Sequence, residues 1–223
     1  MHSDSGMMQW RMACTALALT CSSLALAEPA VSSERSWQSL NQHLRIGIQG
    51  TQVKGNSFET WFGGKYNTPD NKDLGGVYLG FAVGVGESRF VGYDFAGVTR
   101  SSTSFDNQRL VLGQYFSLNE QARWSVALGA FRSAATRSAS GNRRKNVEGA
   151  AALDAGLEWR PTPGVVLAPG WRVAALPGGG LHEFRLDSRL HPIDQFALEF
   201  SISYLKWDTV DQVSWQIGPR WAF

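Results

Sequence analysis

Residues 213–223, VSWQIGPRWAF, alternate between apolar and small or polar side chains up to the last residue of the chain. The apolar set is Val213, Trp215, Ile217, Pro219, Trp221 and Phe223. Successive side chains of a β-strand point to opposite faces, so a period of two predicts a strand with one apolar face and one polar face.

The first 27 residues have the features of a secretory signal peptide. Arg11 supplies a positive charge, residues 12–19 form a short apolar core, and an A-x-A cleavage site ends at Ala27. We therefore expect export and cleavage near Ala27. Residues 28–42 would then be a periplasmic leader or a short amphipathic helix ahead of a main domain at 43–223.

An alternating strand that ends in a terminal aromatic residue, behind a removed export signal, resembles the closing strand of the outer-membrane β-barrel proteins of Gram-negative bacteria. The resemblance is to this broad class. It implies an outer-membrane location, with lipid and lipopolysaccharide as partners, and an assembly signal that is read by the barrel assembly machinery. That signal would comprise Trp215, Ile217, Trp221 and Phe223. Pro219 lacks an amide hydrogen, so we expect a missing hydrogen bond between the last and first strands.

Composition excludes several other classes of protein. The 223 residues carry 21 Lys and Arg against 19 Asp and Glu, and a net charge of +2 is too small to indicate nucleic-acid binding. The absence of any run of 18 apolar residues excludes helical membrane spans. Both cysteines, Cys14 and Cys21, lie in the predicted signal, so the mature protein would have no disulfide. No cofactor motif or metal-ligand spacing is present.

Alternation recurs from Leu44 onward, most clearly in residues 77–85, and eleven segments qualify as candidate strands. Bacterial single-chain barrels have even strand numbers and both termini in the periplasm, so at least one candidate is not a strand. The weakest are the glycine-rich segment 58–66 and the segment 164–176, which contains Pro169. The predicted fold is an all-β, antiparallel transmembrane β-barrel of eight to ten strands.

Two further patterns concern the ends of the strands. The polar segment 134–146 is predicted to be an external loop, in which Arg143–Lys145 either contact lipopolysaccharide phosphates or are simply solvated. Aromatic girdles at both membrane interfaces are typical of transmembrane barrels. Tryptophans that lie at or near predicted strand ends are Trp124, Trp159, Trp207 and Trp221.

Charged side chains alternate on the polar faces of the predicted strands, most densely in residues 181–190. An Arg or Lys that faces lipid at the bilayer midplane costs about 2–4 kcal/mol, so these faces should line the lumen. Mixed signs in a narrow barrel predict cross-strand ion pairs. The predicted lumen charge ladder is Glu148, Asp154, Glu158, Glu183, Arg185, Asp187, Arg189, Glu199 and Arg220.

Three functions remain open from the sequence. The first is a non-enzymatic barrel with a largely filled, charge-paired lumen and a structural or surface-interaction role in the envelope. The second is a narrow passive pore, in which the same charges form a constriction. The third is a lipid A-modifying enzyme, which needs a nucleophile beside an oriented base. His43, His182 and His191 do not form a His-x-Ser arrangement, so no catalytic residue is predicted.

Overall fold

The computed structural model describes residues 42–54, 57–62, 72–139, 142–177 and 179–223. The predicted signal peptide and the predicted leader up to residue 41 lie outside these ranges. Among the described residues, no helix is long and apolar enough to cross a membrane. The strands of the described chain are β1 (His43–Val53), β2 (Lys72–Val85), β3 (Arg89–Arg100), β4 (Thr103–Ser117), β5 (Ala122–Ala139), β6 (Asn142–Thr162), β7 (Val165–Ala174), β8 (Leu181–Ile193), β9 (Phe196–Trp207) and β10 (Val210–Ala222).

These ten strands form a closed antiparallel barrel, in which each strand pairs with its neighbours in sequence and β1 pairs with β10. The predicted fold class is therefore confirmed, with ten strands. Both termini of such a barrel lie on the periplasmic side. We accordingly call the end that contains His43 and Ala222 the periplasmic end, and the opposite end the external end.

One of the two weak candidates is not a strand. Ser57–Phe62 forms a short helix, α1, and residues 63–66 lie outside the described chain. The other candidate contains β7. Pro169 pairs with Leu186 of β8, whereas the β6–β7 ladder has no partner for it between Gly170 and Leu167. Each residue of an antiparallel strand donates its amide to one side only, so a proline interrupts one ladder and leaves the other intact.

The prediction of an external loop at 134–146 is wrong. β5 continues to Ala139 and β6 begins at Asn142, and these two residues pair. β5 and β6 have 18 and 21 residues, whereas each other strand has 10–15. We call residues 134–139 with 142–147 the external hairpin, because β5 and β6 continue to pair there past the outermost β6–β7 residue pair, Ala152–Ala174.

The seam between β1 and β10 is interrupted at Pro219, as its missing amide predicts. The register runs from His43–Ala222 to Arg45–Arg220 and resumes only at Ile48–Ile217. Gly218 faces the lumen beside Pro219, and a Cβ added to it would lie 2.7 Å from the Cα of Gly47. Only glycine allows the two backbones to approach so closely at this point.

Candidate functional site

The outer face of the barrel carries a broad belt of exposed apolar side chains. A contiguous apolar surface of this size would favour aggregation in water, whereas lipid is its natural solvent. The barrel therefore spans a membrane. Members of the belt include Leu44, Ile46, Ile48, Val77, Leu79, Phe81, Leu110, Leu112, Leu128, Leu153, Leu157, Leu198 and Ile217.

Aromatic residues mark the periplasmic edge of the belt. Trp124 stacks on Phe116 with 4.5 Å between ring centroids, and Trp159 and Trp221 are exposed close to the periplasmic ends of their strands. The girdle assignment of Trp207 is wrong, since its ring is 2% exposed and faces the lumen. Trp207 lies eight positions after the inward-facing Glu199 on β9. Because side chains alternate between the two faces of a strand, this even offset indicates that Trp207 also points inward.

Replacing Leu112 with Arg tests the position of the membrane. Leu112 is 58% exposed on β4, in the middle of the apolar belt. We expect Leu112→Arg to lower the free energy of unfolding in lipid vesicles by about 2–4 kcal/mol, measured by urea titration. Gln108→Arg is the control, because Gln108 faces outward on the same strand nearer the external end, where the cost should be about 0–1 kcal/mol. Equal costs at the two positions would contradict the membrane placement.

The inner face of the barrel carries a continuous network of ion pairs, which we call the lumen network. Its centre is Glu199, which is 1% exposed and lies on β9. Glu199 contacts Arg45 at 2.7 Å and Arg220 at 3.0 Å, and it lies 3.4 Å from Arg189. Arg220 also contacts Nδ1 of His43 at 2.9 Å. One carboxylate on β9 therefore joins side chains from three other strands, β1, β8 and β10.

Two branches extend from this centre. In the first, Arg45 contacts Asp94 at 2.6 Å, and Asp94 also pairs with Arg109. Arg109 lies 3.1 Å from Asp154, which accepts a 2.7 Å hydrogen bond from Arg172, and Arg172 pairs in turn with Glu183.

In the second branch, Arg189 and Arg123 both bind Glu158, at 2.7 and 2.5 Å. The Arg123 guanidinium lies 3.8 Å from the ring centroid of Tyr115, a cation–π contact. Asp187 accepts a 2.6 Å hydrogen bond from Ser201 and lies 3.2 Å from Arg185. Buried charges are tolerated only when they are paired and hydrogen-bonded in this way.

The structure brings most of the predicted ladder residues into this network. Asp154, Glu158, Glu183, Arg185, Asp187, Arg189, Glu199 and Arg220 all face the lumen and belong to it. Glu148 does not join them, because it lies opposite Ser133, near the external hairpin. The predicted assembly-signal residues Trp215, Ile217, Trp221 and Phe223 are exposed and lie on or just after β10.

Several members of the network were not predicted from the sequence: His43, Arg45, Asp94, Arg109, Arg123 and Arg172. None of them lies in a run of alternating charges such as the one in residues 181–190. The alternation of inward and outward positions along each strand could have identified them. Arg45, for example, alternates with the lipid-facing Leu44 and Ile46 and must therefore point inward.

An apolar cluster closes the lumen at the external end, and we call it the external plug. Trp61 of α1 lies in it, with its ring centroid 5.0 Å from Trp207 and 5.7 Å from Phe105 in edge-to-face contacts. Inward-facing Val53, Phe131, Leu181, Leu205 and Val210 complete most of its packing.

Polar contacts hold α1 over the plug. The Ser57 hydroxyl accepts a 2.9 Å hydrogen bond from the Asp211 amide, and Arg144 of the external hairpin donates to the Phe62 carbonyl at 3.3 Å. The Lys54 ammonium donates to the Asp211 carboxylate at 2.5 Å, and this hydrogen bond raises the pKa of Lys54. Helix α1 is thus tied to β10 at one end and to β6 at the other.

Within the described residues, the lumen contains cavities of about 110 and 60 Å³. The larger cavity extends to His43 and Tyr115, near the periplasmic end. The smaller cavity lies beneath the external plug and reaches Leu205, which belongs to the plug. One layer of charged side chains lines both cavities: Arg45, Asp94, Arg109, Arg172, Glu183 and Arg185. This charged layer divides the open space of the lumen.

The histidines do not assemble into a catalytic group. His182 faces outward and stacks on Trp171, with ring centroids 6.1 Å apart, while the adjacent Glu183 faces inward and pairs with Arg172. His43 is inside the lumen, at the other end of the barrel. Within the described residues, no group of three His, Cys, Asp or Glu side chains is placed to hold a metal ion.

The similarity of this chain to known proteins is a similarity to solved structures. No family model and no curated protein matches the chain. Among solved structures, it is similar to Ail of Yersinia pestis (19% identity, 82% of this chain, 97% of that chain, TM-score 0.43). It is also similar to the β domain of the Bordetella autotransporter BrkA (13%, 82% and 100%, 0.49) and to OprG of Pseudomonas aeruginosa (12%, 82% and 95%, 0.41). These likenesses carry no information about function.

The chain has the architecture of the outer-membrane β-barrels of Gram-negative bacteria. Its barrel is closed, antiparallel and even in strand number, with an apolar exterior and a charged interior. The assignment to that broad class is confirmed. The protein is an integral outer-membrane protein.

Proposed function

We propose that the protein is a non-enzymatic barrel with a filled lumen, which serves the envelope through its wall and its external hairpin. The observation that carries this proposal is the combination of the lumen network with the external plug. The network fills the part of the lumen through which ions would have to pass, and the external plug covers the external end of the barrel. An eight-stranded barrel is just wide enough for its inward side chains and the diameter grows with strand number, so the long arginine side chains of the lumen network are what fill this ten-stranded barrel.

Planar-bilayer recording tests this proposal. We expect the purified protein to give no steady single-channel steps under conditions in which a general porin conducts. Trp61→Ala, which thins the plug, should also remain silent, because the lumen network lies beneath it. Steady steps from the unmodified protein would overturn the proposal.

A narrow passive pore is the second candidate, and the two cavities favour it. They lie one after the other along the lumen and are separated only by the charged layer. If the plug alone blocks conduction, Trp61→Ala should convert a silent protein into one with steady steps. The same recording therefore separates the two candidates.

The proposed partners are lipid, lipopolysaccharide and the barrel assembly machinery. Arg143 and Lys145 support a contact with lipopolysaccharide phosphates, since both are exposed on the outward face of the external hairpin. Arg144 points the other way, toward the Phe62 carbonyl.

Phe223→Ala tests the proposed assembly signal. The Phe223 ring is 66% exposed, and its replacement removes little packing from the barrel. We expect less assembled barrel in cells, measured as the heat-modifiable band on gels, and unchanged refolding in detergent. An equal defect in detergent would show that Phe223 acts in stability rather than in recognition.

A further inference from the structure

Arg185 differs from the other arginines of the lumen network. Among the described parts of the chain, its guanidinium has one ion-pair contact, at 3.2 Å from Nε to Asp187, and that contact lacks hydrogen-bond geometry. Asp187 is shared with Ser201 and Arg189. The Arg185 side chain is 26% exposed, whereas those of the other network arginines are 14% exposed or less. Since the side chain faces the lumen, this exposure is toward the cavities.

The charged layer around Arg185 has an excess of positive charge. It contains four arginines, Arg45, Arg109, Arg172 and Arg185, against the two carboxylates Asp94 and Glu183. Asp154 and Asp187, which border the larger cavity, compensate the two excess charges. Across the whole lumen network, however, seven arginines face six carboxylates, so one positive charge is left over. An uncompensated charge in an enclosed site is costly, and a bound anion would relieve that cost.

We propose that the lumen binds a small oxyanion at Arg185, with Arg109 and Arg172 as its neighbours in the charged layer. Guanidinium groups present paired N–H donors that match the oxygens of phosphate and carboxylate groups. Cavities of about 110 and 60 Å³ suit an inorganic phosphate or a small carboxylate rather than an oligosaccharide. The anion enters from the periplasmic end, because the external plug closes the other end. The site goes beyond the proposed function, since it requires no conduction.

Inorganic phosphate titrated into the detergent-folded full chain tests the site, with heat release measured by calorimetry at constant ionic strength. We expect saturable binding to the unmodified protein. Arg185→Gln should weaken phosphate binding about ten- to a hundredfold, because the variant loses one or more charge-assisted hydrogen bonds. Arg143→Gln on the external hairpin is the matched control and should bind as the unmodified protein does. A parallel titration with acetate shows whether the site also takes a carboxylate.

A second variant keeps the test decisive if Arg185→Gln does not fold. Arg185→Lys retains the charge but not the planar pair of donors, so it should fold and still bind phosphate more weakly than the unmodified protein. Absence of saturable binding to the unmodified protein would overturn the proposal. Equal phosphate affinities of the unmodified protein and the Arg185 variants would also overturn it. A loss of binding that is confined to Arg143→Gln would do the same. Because conductance is not the readout, failure here leaves the filled-lumen proposal standing.

Discussion

Glu199→Gln is expected to lower the free energy of unfolding by about 3–5 kcal/mol, the cost of removing one partner from a buried ion pair. The change preserves the size of the side chain, so no cavity contributes. It removes the charge that Arg45, Arg189 and Arg220 share. Urea unfolding in lipid vesicles, followed by tryptophan fluorescence, measures the effect.

Glu148→Gln is the matched control for this prediction. It makes the same chemical change on β6 near the external hairpin, where Glu148 is half-buried and faces Ser133. We expect a change within about 0.5 kcal/mol, as for most surface substitutions. If Glu199→Gln cost no more than Glu148→Gln, the lumen network would contribute no stability and the case for a bracing role would be lost.

Gly218→Ala is expected to prevent normal closure of the barrel. The added Cβ would overlap the Ile46 carbonyl oxygen and lie 2.7 Å from the Cα of Gly47. Both obstructing groups are backbone, so neither can rotate away, and β1 and β10 must separate. The ladder is already interrupted beside Pro219, and few hydrogen bonds there resist the separation. We expect a loss of about 3 kcal/mol, at the upper end of overpacking costs, and a fall in the heat-modifiable fraction after refolding.

Gly75→Ala is the control for the closing seam. Gly75 also lies in a strand, but a Cβ added there meets no atom within 4 Å. Alanine restricts the unfolded chain more than glycine does, so this variant should be as stable as the unmodified protein or slightly more stable. A similar loss from both variants would show that glycine flexibility, rather than close approach of the seam, accounts for the effect.

Much of the barrel could be predicted from the sequence, because lipid outside and charges inside impose opposite characters on alternate residues. The face that contains Glu183, Arg185 and Asp187 was predicted to line the lumen for this reason. The same rule fails in the external hairpin, where water replaces lipid. Residues such as Thr136 and Lys145 then need no alternation to pair as strands, and their polarity indicated a loop instead.

The external plug could not be predicted for a different reason. The segment that contains Trp61 is short, and its apolar residues fit a strand as well as a helix. Its structure depends on partners distant in sequence, namely Phe105 and Trp207 for the ring and Asp211 for the Ser57 hydroxyl. Such tertiary contacts leave no local signature.

The lumen network also bears on the order of folding. Arg45 and Asp94 are 49 residues apart in sequence, Arg45 and Glu199 are 154 apart, and His43 and Arg220 are 177 apart. Arg45 and Asp94 lie on β1 and β3, two strands apart along the sheet, so their contact can form in an open sheet. The Arg45–Glu199 and His43–Arg220 contacts form only when the first and last strands meet. These two contacts should therefore form late in folding and act mainly by slowing unfolding.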